Sequence, residues 1–241
     1  MKRALGVVVT VLIGVGVITA VGVGFRSQKY QAPNGPVVAK SLGTAIVNGK
    51  SVPHVEIQLA TWPDSTGTMQ TAAFSSNGTL KTVPIHPSGN PGWPAYAPSN
   101  NFQVPPGALV TVKWDQYDSG GALNNPYFAV PRGTYGPVMV NGKAITTMDP
   151  TDVAHTFTVR PEPGIDSGFF LSVASPVNHS NNDNPTDDTK QTPPQTVEFS
   201  FISGTKGLYA WNCEFPCGSG VGGFGAVMGE YGFMSGYLHV V

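Results

Sequence analysis

Five side chains in this sequence can together hold a soft metal ion. Cys213 and Cys217 are the only cysteines, and Met228 and Met234 are two of the six methionines. All four lie in the last stretch, GLYAWNCEFPCGSGVGGFGAVMGEYGFMSGYLHVV at 207–241. The fifth, His155, stands far upstream in VAHTFTV. Imidazole, thiolate and a weak thioether form a donor set suited to copper. Such a set, held in one geometry that serves both oxidation states, suits the passage of single electrons.

The donors must be placed by strands. In GLYAWNC, Leu208, Ala210 and Asn212 face one way, and Tyr209, Trp211 and Cys213 the other. Tyr237–Val241 is short, aromatic and β-branched, and reads as the closing strand. VAHTFTV puts His155, Phe157 and Val159 on one face. TVEFSFI at 196–202 alternates as well, and FQVPPGALVTVKW at 102–114 turns at Pro-Pro-Gly into an alternating run. Asn48-Gly49, Asn77-Gly78 and Asn141-Gly142 are hairpin turn signals. The core strands are expected at 102–114, 153–159, 196–202, 207–213 and 236–241. No convincing amphipathic helix follows residue 26, so the fold class is all-β, a sandwich or barrel. The run 178–194 has little to bury and reads as a mobile loop.

Each candidate has a plainer alternative. Cys213 and Cys217 can pair as a disulfide in an exported domain. His155 can be a hydrogen-bonded strand histidine, and Met228 and Met234 can fill gaps in the core. Tyr209 and Trp211 read as core aromatics. Asp152 can cap a turn or orient His155 from behind. Hydrolase, zinc-protease and P-loop motifs are missing, and GSGVGG opens no helix within a βαβ unit.

The chain has 241 residues, 11% charged, with a net charge of −1 and no basic stripe, which argues against a nucleic-acid partner. Gly and Pro exceed a fifth of the residues, yet 40% are hydrophobic, as in a turn-rich β domain. Met1-Lys2-Arg3 precedes an uncharged run of 22 residues from Ala4 to Phe25, long enough to span a bilayer. The basic pair would hold the N-terminus in the cytoplasm and leave the rest outside. Cleavage after Ala20 is the competing reading, and would release a secreted domain. The expected organisation is a membrane anchor or signal segment at 1–26, a linker at 27–41, and one domain with long loop insertions at 42–241.

VPPGALVTVKW, VAHTFTV, GLYAWNC and MSGYLHVV together resemble the cupredoxins, the blue-copper fold. Asp152-Val153-Ala154-His155-Thr156-Phe157 is similar to the D-V-x-H-S-F/W motif of cytochrome oxidase subunit II. Cys213-x-x-x-Cys217-Gly218 is similar to that family's C-x-x-x-C-G. The resemblance covers roughly the C-terminal 140 residues. It implies a Greek-key β-sandwich and a copper centre, mononuclear or binuclear. His155, Cys213 and Cys217 would be bridging or equatorial ligands, Met234 or Met228 a thioether ligand, and a carbonyl near Phe215 a further donor. Val221 and Phe224 stand where that family has its second His and its Met, so a second imidazole must come from His86, His179 or His239, or be replaced. A cytochrome or terminal oxidase subunit is the implied redox partner, and an electron-transfer role is more expected than a self-contained enzyme. A sandwich that has lost its copper, or a copper carrier, are the other outcomes the resemblance leaves open.

Overall fold

The computed structural model describes residues 13–17, 19, 36–63, 67–71, 81–85, 93–120, 124–165, 168–180, 193–217, 226–229 and 232–241. The chain divides into two compact units, Met1–Gln31 and Ala32–Val241. In the first, residues 13–17 and 19 are helical, and Ile13, Val15 and Val17 are exposed. No helix among the described residues is long and apolar enough to cross a membrane. Most of the expected N-terminal span, the Asn77-Gly78 hairpin, His86, Val221, Phe224 and most of the 178–194 loop lie outside the described residues.

The second unit is built from strands. In chain order they are β1 Val37–Val38, β2 Lys40–Val47, β3 Lys50–Trp62, β4 Thr68–Thr71, β5 Lys81–Pro84, β6 Ala95–Ala97, β7 Asn101–Val104 and β8 Leu109–Gln116. They continue as β9 Val138–Val140, β10 Lys143–Ile145, β11 Val153–Pro161, β12 Leu171–Pro176, β13 Gln195–Ile202, β14 Gly207–Asn212 and β15 Ser235–Val240, with a short helix Ala226–Gly229 before the last. One sheet runs β1-β7-β15-β14-β11-β12. The other runs β10-β9-β13-β8-β3-β2, with β6 added to β3, and β4 and β5 pair separately. Neighbours are antiparallel except β1–β7, β7–β15 and β3–β8. The all-β sandwich expected from the sequence is the architecture found.

Period-two alternation builds the core. Val110, Val112 and Trp114 of β8 are buried, while Lys113 and Asp115 at alternate positions on its other face are exposed. Val197, Phe199 and Phe201 of β13 do the same from the adjoining strand. Trp211 of β14 stacks on Phe157 of β11 at 4.6 Å and lies 4.7 Å from Tyr96. Phe157 meets Phe199 edge-on at 5.6 Å, so the rings join the two sheets.

Residues 102–114, expected as one turn-broken run in the core, belong to both sheets. β7 is in the first and β8 in the second, and Pro105-Pro106-Gly107 carries the chain across. Gly107 has φ +61, and Ser203 pins the corner, donating from Oγ to Pro105 O and accepting from Ala108 N. Both faces of β11 and β12 are largely buried, and neither shows simple alternation. The segments between β8 and β9 and between β10 and β11 contribute to this: Arg132 and Ser172 exchange backbone hydrogen bonds of 2.9 and 3.0 Å, and Ala129 and Met148 are buried. The two hairpins at Asn48-Gly49 and Asn141-Gly142 have positive φ at both turn residues, as a two-residue turn of this hand requires.

One charged contact makes stability depend on acid. Glu56 on β3 accepts from Lys113 Nζ at 2.9 Å and from Gln58 at 3.1 Å. Burial alone would raise its pKa; the lysine and the amide outweigh burial and hold it below its ordinary 4.5. Its contribution is therefore complete above pH 4.5 and is lost as pH falls through the lowered folded value. The Glu56→Gln variant is expected to lose part of this pH dependence, read from urea midpoints between neutral and acid pH. A slope identical to the native chain would refute the assignment.

Candidate metal centre

His155 enters the site at an irregularity. The register of β11 against β12 shifts between Val153 and His155, and His155 then pairs with Ser175. A bulge re-aims a side chain relative to its strand. Cys213 follows the last residue of β14, and its N–H donates to Met234 O at 2.9 Å. That bond ties the entry of the cysteine loop to the residue that leads into β15.

Thr156 holds the loop from below. Its N–H donates to Cys213 Sγ at 3.3 Å, and its Oγ1 accepts from Glu214 N at 2.8 Å. Phe215 N–H also points to Cys213 Sγ, at 3.4 Å. Phe215 O lies 3.2 Å from Cys217 Sγ and 3.6 Å from Cys213 Sγ. A backbone carbonyl thus stands between the two thiols.

The donors converge. His155 Nδ1 is 3.2 Å from Cys217 Sγ and 3.7 Å from Cys213 Sγ, and the two sulfurs are 3.6 Å apart. All three residues are buried, and they form the one such His/Cys/Asp/Glu cluster among the described residues. The cysteines are free: a disulfide would need sulfurs about 2.0 Å apart. Donors bound to one ion through bonds of about 2.0–2.3 Å at near-tetrahedral angles lie roughly 3.4–3.7 Å from each other. Two of the observed spacings fall in that range and the third, 3.2 Å, lies just below it, so the residues present fit a thiophilic metal.

Electrostatics favour the ligating form at Cys213 alone, and the protonated form at Cys217 and His155. Burial would raise the Cys213 thiol, but hydrogen bonds from Cys217 and His155, the imidazolium charge and the Thr156 N–H hold it well below its usual range. Cys217 goes the other way, because it shares its hydrogen with Cys213 and is itself buried. Burial would lower His155; Asp118 and Cys213 instead push it up to about 10. Tyr96, buried with its hydroxyl donating to Thr156 O at 2.8 Å, is raised by burial and then by the nearby thiols.

The other sequence candidates are placed as follows. Met234 is fully buried and adjoins the centre through its backbone bond to Cys213. Met228 packs half-buried against the core from the short helix Ala226–Gly229. His179 is exposed and pairs with Asp152 Oδ1 at 2.6 Å. His239 on β15 faces Asn101 Oδ1 at 3.4 Å. Neither belongs to the cluster. Asp152 therefore does not orient His155. That place is taken by Asp118, whose Oδ2 is 2.8 Å from His155 Nε2. Asp118 sits in the irregular run after β8, with no periodic signal to mark it.

The fold and site together define a β-sandwich protein with a buried imidazole–dithiol centre. No protein-family model matches this chain, and no curated protein matches it. Among solved structures, one of reduced rusticyanin is matched at 16% identity over 78% of this chain and 79% of that one, with a TM-score of 0.33. An NMR structure of reduced rusticyanin is matched at 13% identity over 83% and 86%, with a TM-score of 0.30.

Proposed function

We propose that this chain is a cupredoxin-type copper protein that exchanges single electrons outside the cytoplasm, held to the membrane by its N-terminal segment and serving a respiratory oxidase or its donor. The convergence of His155 Nδ1 and the two thiols within 4.8 Å carries this reading. Copper, once bound, supplies a one-electron couple. Cys213 and Cys217 would hold it by sulfur and His155 by Nδ1, each ligating atom being free of its proton when it does so. Backbone donors from Thr156 and Phe215 fix the Cys213 sulfur before metal arrives, and the surrounding core keeps water away. Soft sulfur donors favour copper over hard cations.

Two further features support the electron-transfer and membrane parts. Phe215 meets Phe128 at 6.1 Å, and Phe128 meets Tyr127 at 5.1 Å, so aromatic contacts lead from between the cysteines to the half-exposed Tyr127. The uncharged run from Ala4 to Phe25 after Lys2 and Arg3 supports the anchor.

The test is copper content with the visible spectrum. One or two copper ions per chain and a strong thiolate-to-copper(II) band are expected, and the count decides between a single and a paired centre. A loaded but colourless chain would indicate carriage of copper(I). Copper-free protein with both thiols intact would leave only the architecture.

A further inference from the structure

We propose that Asp118 is a positioning residue of the metal centre, fixing which nitrogen of His155 meets the metal and how strongly it donates. The inference rests on the copper reading above and extends it to a residue outside the donor set.

The two ring nitrogens of His155 have separate partners. Nε2 is 2.8 Å from Asp118 Oδ2, while Nδ1 faces the sulfurs at 3.2 and 3.7 Å. The ring is 2% exposed, so no solvent competes for either nitrogen. A carboxylate can only accept, so Nε2 must keep its hydrogen and Nδ1 is the nitrogen left to bind metal. A carboxylate behind a ligating imidazole also strengthens its donor nitrogen. Extra negative charge behind the ring favours the more highly charged oxidation state of the metal.

Asp118 is itself built in. Its Oδ1 accepts from Gly120 N at 2.9 Å, which leaves Oδ2 for the histidine. Its backbone is clasped by the Gln116 side chain, which accepts from Asp118 N at 3.2 Å and donates to Asp118 O at 3.0 Å. Asn178 N donates to the same carbonyl at 3.1 Å. Gln116 and Asn178 are fully buried. A Cβ added at Gly120 would stand 3.0 Å from Asp118 Oδ2, so the loop leaves little room beside the carboxylate oxygen that holds the ring. The result is a carboxylate with a preset direction, carried by the run just after β8 and aimed at His155 of β11.

The experiment compares the full chain with Asp118→Asn and Asp118→Ala after copper loading. Copper affinity by chelator competition, reduction potential and the visible band are measured together. Asp118→Ala is expected to lose roughly 10–100-fold in affinity and to show a raised potential. Asp118→Asn keeps the shape and an acceptor but not the charge, so it should raise the potential with a smaller loss of affinity. It also serves if the alanine variant does not fold. The thiolate band should persist in both. Affinity and potential equal to the native chain, with only the unfolding midpoint changed, would overturn the proposal and reduce Asp118 to a structural residue. Failure of the native chain to bind copper would instead overturn the copper reading, and this inference with it.

Discussion

Cys213→Ser abolishes the thiolate-to-copper(II) band and weakens copper binding by more than the roughly 100-fold that loss of an outer partner can cost. Cys213 is the better-prepared sulfur of the two. It is fully buried and receives N–H groups from Thr156 and Phe215 at 3.3 and 3.4 Å. Its thiol is held well below the usual range by its hydrogen-bond partners and the imidazolium, which favours the ligating thiolate. Serine keeps the backbone bond from residue 213 to Met234 O and nearly the same volume, but offers a hard oxygen that stays protonated. The variant should therefore fold while losing its colour. Absorption during copper titration, with circular dichroism as the fold control, makes the check. A band of undiminished intensity would take Cys213 off the ligand list. Cys217→Ser should also lower affinity, because its sulfur is the one nearest His155 Nδ1 at 3.2 Å.

Trp211→Ala is expected to cost about 3–5 kcal/mol of stability in the metal-free chain. The indole has no exposed surface and touches Phe157, Tyr96 and Phe102, with centroids at 4.6, 4.7 and 6.0 Å. Its Nε1 donates to Asn100 O at 2.6 Å, which ties β14 to the turn before β7. Alanine removes the ring from a junction of both sheets, where neighbours cannot close in without moving strands. Trp211→Phe should cost less, since a ring remains and Asn100 O keeps the bond from Tyr237 N at 3.0 Å. Urea unfolding followed by far-ultraviolet circular dichroism reads both changes. A loss below about 1 kcal/mol for the alanine variant would show that the core repacks more freely than its rings suggest.

Local chemistry made much of this molecule legible in its residues. Alternation marked β8, β13 and β14, because half-buried strands must sort apolar from polar at every second position. Asn-Gly pairs marked two hairpins, because few other residues accept positive φ twice in succession. Two cysteines four apart around Phe215 offered soft donors by type, whereas His155 stood out from the other histidines only through the motif its neighbours resemble.

Long-range pairing decided the rest. Alternation looks alike on either side of Pro105-Pro106-Gly107, so nothing local revealed that β7 and β8 lie in different sheets. Asp152, three residues before His155, was the nearer candidate to orient the ring, yet it turns to His179, and Asp118 arrives from the irregular run after β8. His239 was available by residue type, but its place on β15 directs it to Asn101. By itself the sequence determined a turn-rich β domain and a soft donor set, since periodicity and ligand chemistry are properties of single residues and their near neighbours. Only the tertiary structure decided that one imidazole meets two thiols and which carboxylate stands behind it, since those distances depend on how strands far apart in the chain are paired.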